Sequence, residues 1–194
     1  MTKPLFILAS SSPRRLALLK DIGVVPDKIT AAEIDETPRP RELPRSHAAR
    51  LAREKLDAVA AKEPNGLILA ADTVVACGRR ILPKAETAEQ VRDCLKLLSG
   101  RRHHVYTGLA LRTPDGKIRE RIADSAVAFR QLSPGDIEAY VKCGDGIGKA
   151  GGYAIQGRAA ALIRFISGSY SNIVGLPLFD VAQMLRGCGF SANE

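Results

Sequence analysis

The sequence predicts a mixed α/β fold: one twisted sheet of mixed strand direction with flanking helices. Three observations predict it. Apolar runs of strand length alternate with segments of helical periodicity, as in "LFILASSSPRRLALLKDIG" near the N-terminus. The continuous apolar run "GLILAADTVVAC" has the character of a strand buried on both faces. Two further runs, "HHVYTGLALRT" and "IRERIADSAVAFRQ", flank the turn "PDGK" and read as an antiparallel pair. The 194 residues and 45% hydrophobic content suit one domain spanning 1–194, whole or in two lobes, with a proper core.

Each element has a local reason. Strand 5–9 is a short apolar run ended by three serines. Helix 13–22 carries Leu16, Leu19 and Ile22 at three-residue spacing, with Ser12 as N-cap, Pro13 in the first helical position and Gly23 as terminator. The Pro- and charge-rich stretch "DETPRPRELPR" is a loop. Helix 46–62 follows, with Leu51, Ala52, Leu56 and Val59 on one face. Thr87 and Gln90 form a capping box for a helix carrying Val91, Cys94, Leu95 and Leu98, ended by Ser99-Gly100. Helix 134–142 starts at "SPGD". The segment "GGYAIQGRAAALIRFISGSYSNIVG" mixes Gly-rich turns with strand-like pieces, and helix 178–186 comes last.

Composition narrows the function classes. The formal net charge is +8, so anionic partners are favoured: a nucleotide, a nucleic acid or an acidic surface. Trp is absent and aromatics are sparse, which argues against stacking platforms for single strands. Cys77, Cys94, Cys143 and Cys188 lie far apart with no C-x-x-C pair, which disfavours structural zinc and suits a reducing cytoplasm. No apolar run approaches the ~20 residues of a membrane span, and the N-terminus lacks a signal-peptide pattern. The expectation is a cytoplasmic protein with no membrane partner.

Several residues break the pattern of their own element. Arg14 and Arg15 fall in the first turn of a helix, where unpaired N–H groups already make the end positive. The helix at Ser133 has the same Ser-Pro start but places Asp136 there, which is the ordinary solution. Two guanidinium forks beside Ser10, Ser11 and Ser12 therefore make an anion site, or else both point into solvent. The Gly-rich phosphate loop ending in Gly-Lys-Ser/Thr is absent.

Asp72 sits inside "LILAADTVV" with apolar neighbours on both sides. A carboxylate there is costly unless paired or bound to a cation. Either it caps a turn or pairs with an arginine, or it is a metal ligand or general base. Lys55 falls on the apolar side of its helix, where it snorkels outward or points inward at an anion. Lys84 in "ILPKAET" is a loop lysine or a further phosphate contact. Glu33, Asp35 and Glu36 form an acidic cluster, either solvated or in contact with metal or ribose. Gln156 in "YAIQG" lies in a strand-like segment, where its amide reads a base edge or satisfies backbone. His47, His103 and His104 have no metal spacing and read as structural. Ser-His-Asp hydrolysis has no nucleophile elbow to support it. Arg14, Arg15, Lys55 and Lys84 around Asp72 make the combination a metal–polyphosphate site requires.

The segments "LASSSPRR", "LAREK", "AADTVV", "LLSGRRHHVYTG", "GKAGGYAIQG" and "GSYSNIVGLPL" occur in an order that resembles the Maf family of nucleoside triphosphate pyrophosphatases, related to septum-formation inhibitors. The resemblance covers nearly the whole chain. It implies an inosine-triphosphatase-like α/β fold with two lobes around a central cleft, usually dimeric. It implies hydrolysis of the α–β bond of a nucleoside triphosphate with a divalent metal, Mg²⁺ or Mn²⁺. By the same resemblance Asp72 is proton acceptor and metal partner, and Glu36 is a further acidic member of the metal site. Arg14, Thr73 and Gln156 set substrate choice. Ser10, Ser12, Arg15, Lys55 and Lys84 line the phosphate path. "AGGYAIQG" resembles the branch that prefers dTTP and UTP. One departure is Lys84-Ala85, where the family usually has Lys-Pro and this chain places Pro83 before the lysine. Two alternatives remain: a house-cleaning hydrolase of modified nucleotides, and a nucleic-acid-binding regulator of cell division. The second is disfavoured because the cations are spread along the chain rather than gathered in one arm.

Overall fold

The structure is a computed structural model and describes residues 4–190. Strand β1 (Phe6–Ala9) is buried along its length and leads through the serines into helix α1 (Pro13–Asp21). Strand β2 (Lys28–Ile29) follows, then helix α2 (Pro44–Ala60) and the long strand β3 (Leu67–Cys77). Strands β4 (Arg80–Leu82) and β5 (Lys84–Ala85) precede helix α3 (Ala88–Leu98). Strands β6 (Arg102–Arg112) and β7 (Ile118–Phe129) form the hairpin that "PDGK" announces. Helix α4 (Pro134–Cys143), strand β8 (Lys149–Ala150), a single 3₁₀ turn (Arg158–Ala161) and strand β9 (Ile163–Ser167) come next. Helices α5 (Tyr170–Val174) and α6 (Leu178–Arg186) close the described chain.

The main sheet runs in the order β2-β1-β3-β6-β7-β9, with β4 also on β3. Strands β2, β1 and β3 are parallel, and the rest pair antiparallel. The mixed sheet with helices on its faces is therefore observed as expected. A separate two-stranded ribbon, β5 with β8, stands beside it.

Strand β3 is where the architecture makes room for a site. One edge of it pairs first with β1, over Leu67–Ala70, and later with β4, over Val75–Cys77. Between them, residues 71–74 have no strand neighbour on that side. The chain leaving β1 turns away there into the serines and α1. Crevices of this kind, just past the carboxyl end of a strand, are the usual ligand sites of α/β sheets.

The sheet separates two cores. On one face α2 buries Ala52, Leu56 and Val59 against Ile7, Ala9, Ile68, Ala70 and Ala110. On the other, Leu18 and Leu19 of α1 join Leu67, Leu69, Ala71 and Val75 of β3 and much of α3, α4 and α6. Because side chains alternate along a strand, Asp72 belongs to the α2 face and Thr73 to the α1 face.

Three local expectations are corrected. Gln156 is not in a strand: it lies in a turn closed by Gly157 N–H donating to Ala154 O at 3.1 Å. The surrounding glycines let the chain fold back, and Ala154 N–H donates to the Tyr140 hydroxyl (3.0 Å) rather than to a ladder. The capping box at α3 is half formed, since Thr87 accepts from Gln90 N–H but the Gln90 side chain accepts from Glu86 N–H. Helix α2 starts earlier than predicted, with Pro44 in its first turn and Leu43 as N-cap.

Candidate active site

The crevice at the gap in β3 is a cleft of about 580 Å³. It is walled by the serine loop and α1, by α2, by the gap residues of β3, by the β5–β8 ribbon and by the 153–156 turn. The ten residues that the family resemblance assigns to the site all line it: Ser10, Ser12, Arg14, Arg15, Glu36, Lys55, Asp72, Thr73, Lys84 and Gln156; of the acidic cluster only Glu36 does, and Glu33 and Asp35 lie outside the lining. The ten come from six separate stretches of chain.

On the α2 face the centre is Asp72, 7% exposed. Lys55 Nζ lies 2.6 Å from Asp72 Oδ1 and 2.6 Å from Glu36 Oε1. The lysine and aspartate side chains are 12% and 9% exposed, whereas Glu36 is 58% exposed. The Lys55–Asp72 pair is thus the fixed part, and Glu36 reaches in from the loop. Among the described residues the second carboxylate oxygen of Asp72 has no hydrogen-bond donor, so it is available to the cleft. Of the two readings of Lys55, inward at an anion is the observed one.

Close packing of α2 makes this reach possible. Gly108 on β6 is directly opposite Asp72 on the same face. A Cβ on Gly108 would stand 2.3 Å from Ala48 O of α2. Any side chain there would push the helix, and Lys55 with it, away from the sheet.

On the α1 face Arg15 turns inward across the gap. It donates to Ser10 Oγ (3.0 Å), Thr73 Oγ1 (3.2 Å) and Gly175 O (2.9 Å). Thr73 Oγ1 lies 3.0 Å from Thr107 Oγ1, the residue paired with it on β6. Arg15 therefore ties α1, β3 and the loop after α5 into one wall. Burial pushes the Arg15 guanidinium below its ordinary range and Arg14 adds to this, while Asp72 and Glu36 oppose it. Arg14 is also pushed down by burial, and among the described residues its side chain has no hydrogen bond or ion pair. Ser12 occupies the N-cap position of α1 without a side-chain cap bond. Its hydroxyl is left for the cleft, in contrast to Ser133, which closes a complete capping box with Asp136.

The loop carrying Glu36 is anchored from below. Arg50 on α2 donates to Thr37 O (3.1 Å) and to both Glu42 oxygens (2.7 and 2.8 Å). These bonds hold the Glu42 carboxyl far below the usual carboxylate range. His47 is buried beside them, 2.9 Å from Glu42, which agrees with a structural role. His103 is buried against Phe129 and hydrogen-bonds Tyr153 (2.8 Å), while His104 pairs with Asp124 at the surface. Lys84 is exposed in β5, held by the pairing of Ala85 with Lys149 and by Gly151 N–H on Pro83 O (3.0 Å). The Lys84-Ala85 departure therefore leaves this lysine on the cleft wall.

Sequence reasoning gave no role to Lys149, Thr107 or the Gly175 carbonyl. The motif "GKAGGYAIQG" contained the first of these. The other two act through contacts with residues far away in the chain, which no local pattern records.

A family model described as Maf-like protein matches residues 5–188. The chain is 56% identical to a dTTP/UTP pyrophosphatase of Paramagnetospirillum magneticum, over 95% of this chain and 97% of that one. It is 57% identical to one of Gluconobacter oxydans (95% and 87%) and 54% identical to one of Caulobacter vibrioides (96% and 97%). A solved dITP/XTP pyrophosphatase from Mycobacterium abscessus is similar at 18% identity and TM-score 0.42, over 95% of this chain and 94% of that one. That likeness is too loose to bear on fold or chemistry. On the family match and these relatives, the chain belongs to the Maf-like protein family.

Proposed function

We propose that this cleft hydrolyses the α–β phosphoanhydride of dTTP and UTP, releasing the nucleoside monophosphate and pyrophosphate. The observation that carries the proposal is Asp72: a nearly buried carboxylate, fixed by Lys55, with one oxygen open to a cleft lined by serines and cations. The names of the 54–57% identical relatives supply the substrate pair.

The chemistry follows from the charges. Water attacks the α-phosphorus in line with the bond to the bridging oxygen. Asp72 accepts the water's proton, the P–O bond breaks, and pyrophosphate leaves with the bonding pair. Arg15, rigid on three acceptors, and the serine hydroxyls hold the phosphate oxygens in line, which is where most catalysis of phosphoryl-type transfer resides. Thr73 and Gln156 line the same cleft, and their role in this proposal is base choice, with Thr73 acting through its bond to Arg15.

A divalent cation fits the donor set. Mg²⁺ characteristically takes one or two carboxylates plus substrate phosphates and waters, rather than a full protein cage. Lys55 holds one oxygen each of Asp72 and Glu36, so their second oxygens are the donors that would hold the ion, and no cluster of three His, Cys, Asp or Glu exists among the described residues. Such an ion, held by Asp72 and Glu36, would supply charge neutralisation for the phosphates and a more acidic water.

We further propose a cytoplasmic homodimer. The four cysteines are free, and no described helix is long and apolar enough to cross a membrane. Strand β9 is the edge of the main sheet and exposes Phe165 on one face and Ile166 on the other, an open edge that a second copy would cover. Sedimentation that finds only monomer at micromolar concentration counts against the dimer.

The test is a product analysis with Mg²⁺ or Mn²⁺ over dTTP, UTP, CTP, GTP and methylated triphosphates. Monophosphate and pyrophosphate from dTTP and UTP, with the others slower, are expected. Release of single phosphates contradicts the proposal, and preference for a methylated nucleotide favours the house-cleaning alternative.

A further inference from the structure

We propose that Lys149 is a phosphate-binding residue that grips the β- and γ-phosphates together with Arg14 and Lys84, and so holds the departing pyrophosphate. The proposal rests on the cleft being a triphosphate site. Its motivation is a separation of charge across that cleft. The carboxylates Asp72 and Glu36 gather at the β3 end with Lys55 between them. Elsewhere on the lining Arg14 and Lys84 lie close enough to Lys149 to repel it, and among the described residues none of the three has a carboxylate within ion-pair distance.

Lys149 is the cation of the three that has a hydrogen-bond partner among the described residues. It is partly buried, and among the described residues its ammonium donates only to the Ile147 carbonyl, at 3.3 Å. Burial lowers its affinity for the proton, Arg14 and Lys84 lower it further by repulsion, and Asp145 alone opposes them. Its backbone is fixed by the β5–β8 pairing and by Gly148 N–H on Ala85 O (2.7 Å). Gly148 and Gly151 flank it at φ +69° and +70°, and a Cβ at Gly151 would stand 2.8 Å from Val75. The ribbon is thus pressed against β3, and Lys84 and Lys149 both line the cleft. Like charges collected in a crevice destabilise the free protein, and a bound polyanion relieves them. A triphosphate is polarised in the same sense as the cleft. Its α-phosphorus must meet Asp72, which leaves the more highly charged β- and γ-phosphates at the cations.

The test uses inorganic pyrophosphate as the probe and thymidine monophosphate as control. Lys149→Met, which keeps the stem and removes the charge, is expected to weaken pyrophosphate inhibition about 10- to 100-fold, the size of one charge-assisted hydrogen bond. The KM for dTTP rises with it, while thymidine monophosphate binding stays within about twofold. Lys149→Arg is expected to restore pyrophosphate binding. Lys149→Gln, which keeps a donor for the Ile147 carbonyl, repeats the loss in a chain with that contact intact. Unchanged pyrophosphate inhibition in either neutral variant overturns the assignment, as does an equal loss for pyrophosphate and monophosphate. A wild-type protein that releases no pyrophosphate from dTTP overturns the hydrolase proposal instead.

Discussion

The Lys55–Asp72 pair yields a sharp prediction about stability, because each partner is nearly buried and the contact is 2.6 Å. Lys55→Met keeps most of the side-chain volume and strands the Asp72 carboxylate. Removing one partner of a fully buried pair costs about 3–5 kcal/mol. Here the loss is smaller, because Asp72 faces an open cleft and Arg15 stays near it. About 2–3 kcal/mol is expected, or a fall in Tm of roughly 4–12 °C for a chain of this size. Asp72→Asn in the same chain removes the stranded charge. The double variant should therefore recover at least about 1 kcal/mol relative to the sum of the two single losses. Urea unfolding at neutral pH without added metal measures all four proteins. If the two losses simply add, to within about 0.5 kcal/mol, the pair is not the fixed element described here.

Three further outcomes are expected. Ser133→Ala breaks a full capping box and should cost about 1 kcal/mol; Ser12→Ala removes no cap bond and should leave stability nearly unchanged while weakening triphosphate binding. Equal losses of stability in thermal unfolding would contradict this. His103 is buried neutral, with its pKa lowered to about 4 by burial. The unfolded chain then binds more protons between about pH 6.5 and 4, so stability is full above that window and falls as pH drops through it, by up to about 3 kcal/mol. His103→Phe should flatten that part of the pH–stability curve, and an unchanged slope refutes the assignment. Gln156→Ala should alter the ranking of dTTP, UTP, CTP and GTP more than the turnover of the best substrate; a uniform fall across the panel removes its role in base choice.

Much of the architecture was legible because it rests on local periodicity. Strand β3 and helix α6 have continuous or 3.6-residue apolar patterns, and the structure places them where those patterns do. The site was legible for the opposite reason. Arg14, Arg15, Lys55 and Asp72 each contradict the element that contains them, and all four line one cleft. Contacts made across the chain were not legible. Arg15 bonds Gly175, 160 positions away, and Thr73 bonds the same carbonyl. The turn at Gln156 depends on Tyr140 and Asp145, which accept from Ala154 and Arg158 N–H, so the apolar residues beside it gave a false strand. The gap in β3 is likewise a matter of register, fixed by where β1 stops and β4 begins.

The central claim is that Asp72 takes the proton from the attacking water. Pyrophosphate release from dTTP by Asp72→Asn, measured beside wild type with saturating Mg²⁺ or Mn²⁺, tests it most directly. Loss of a positioned general base predicts a fall in kcat of about 10²- to 10⁴-fold, in a protein that still folds and still binds pyrophosphate. A variant that releases pyrophosphate at near wild-type rate contradicts the claim.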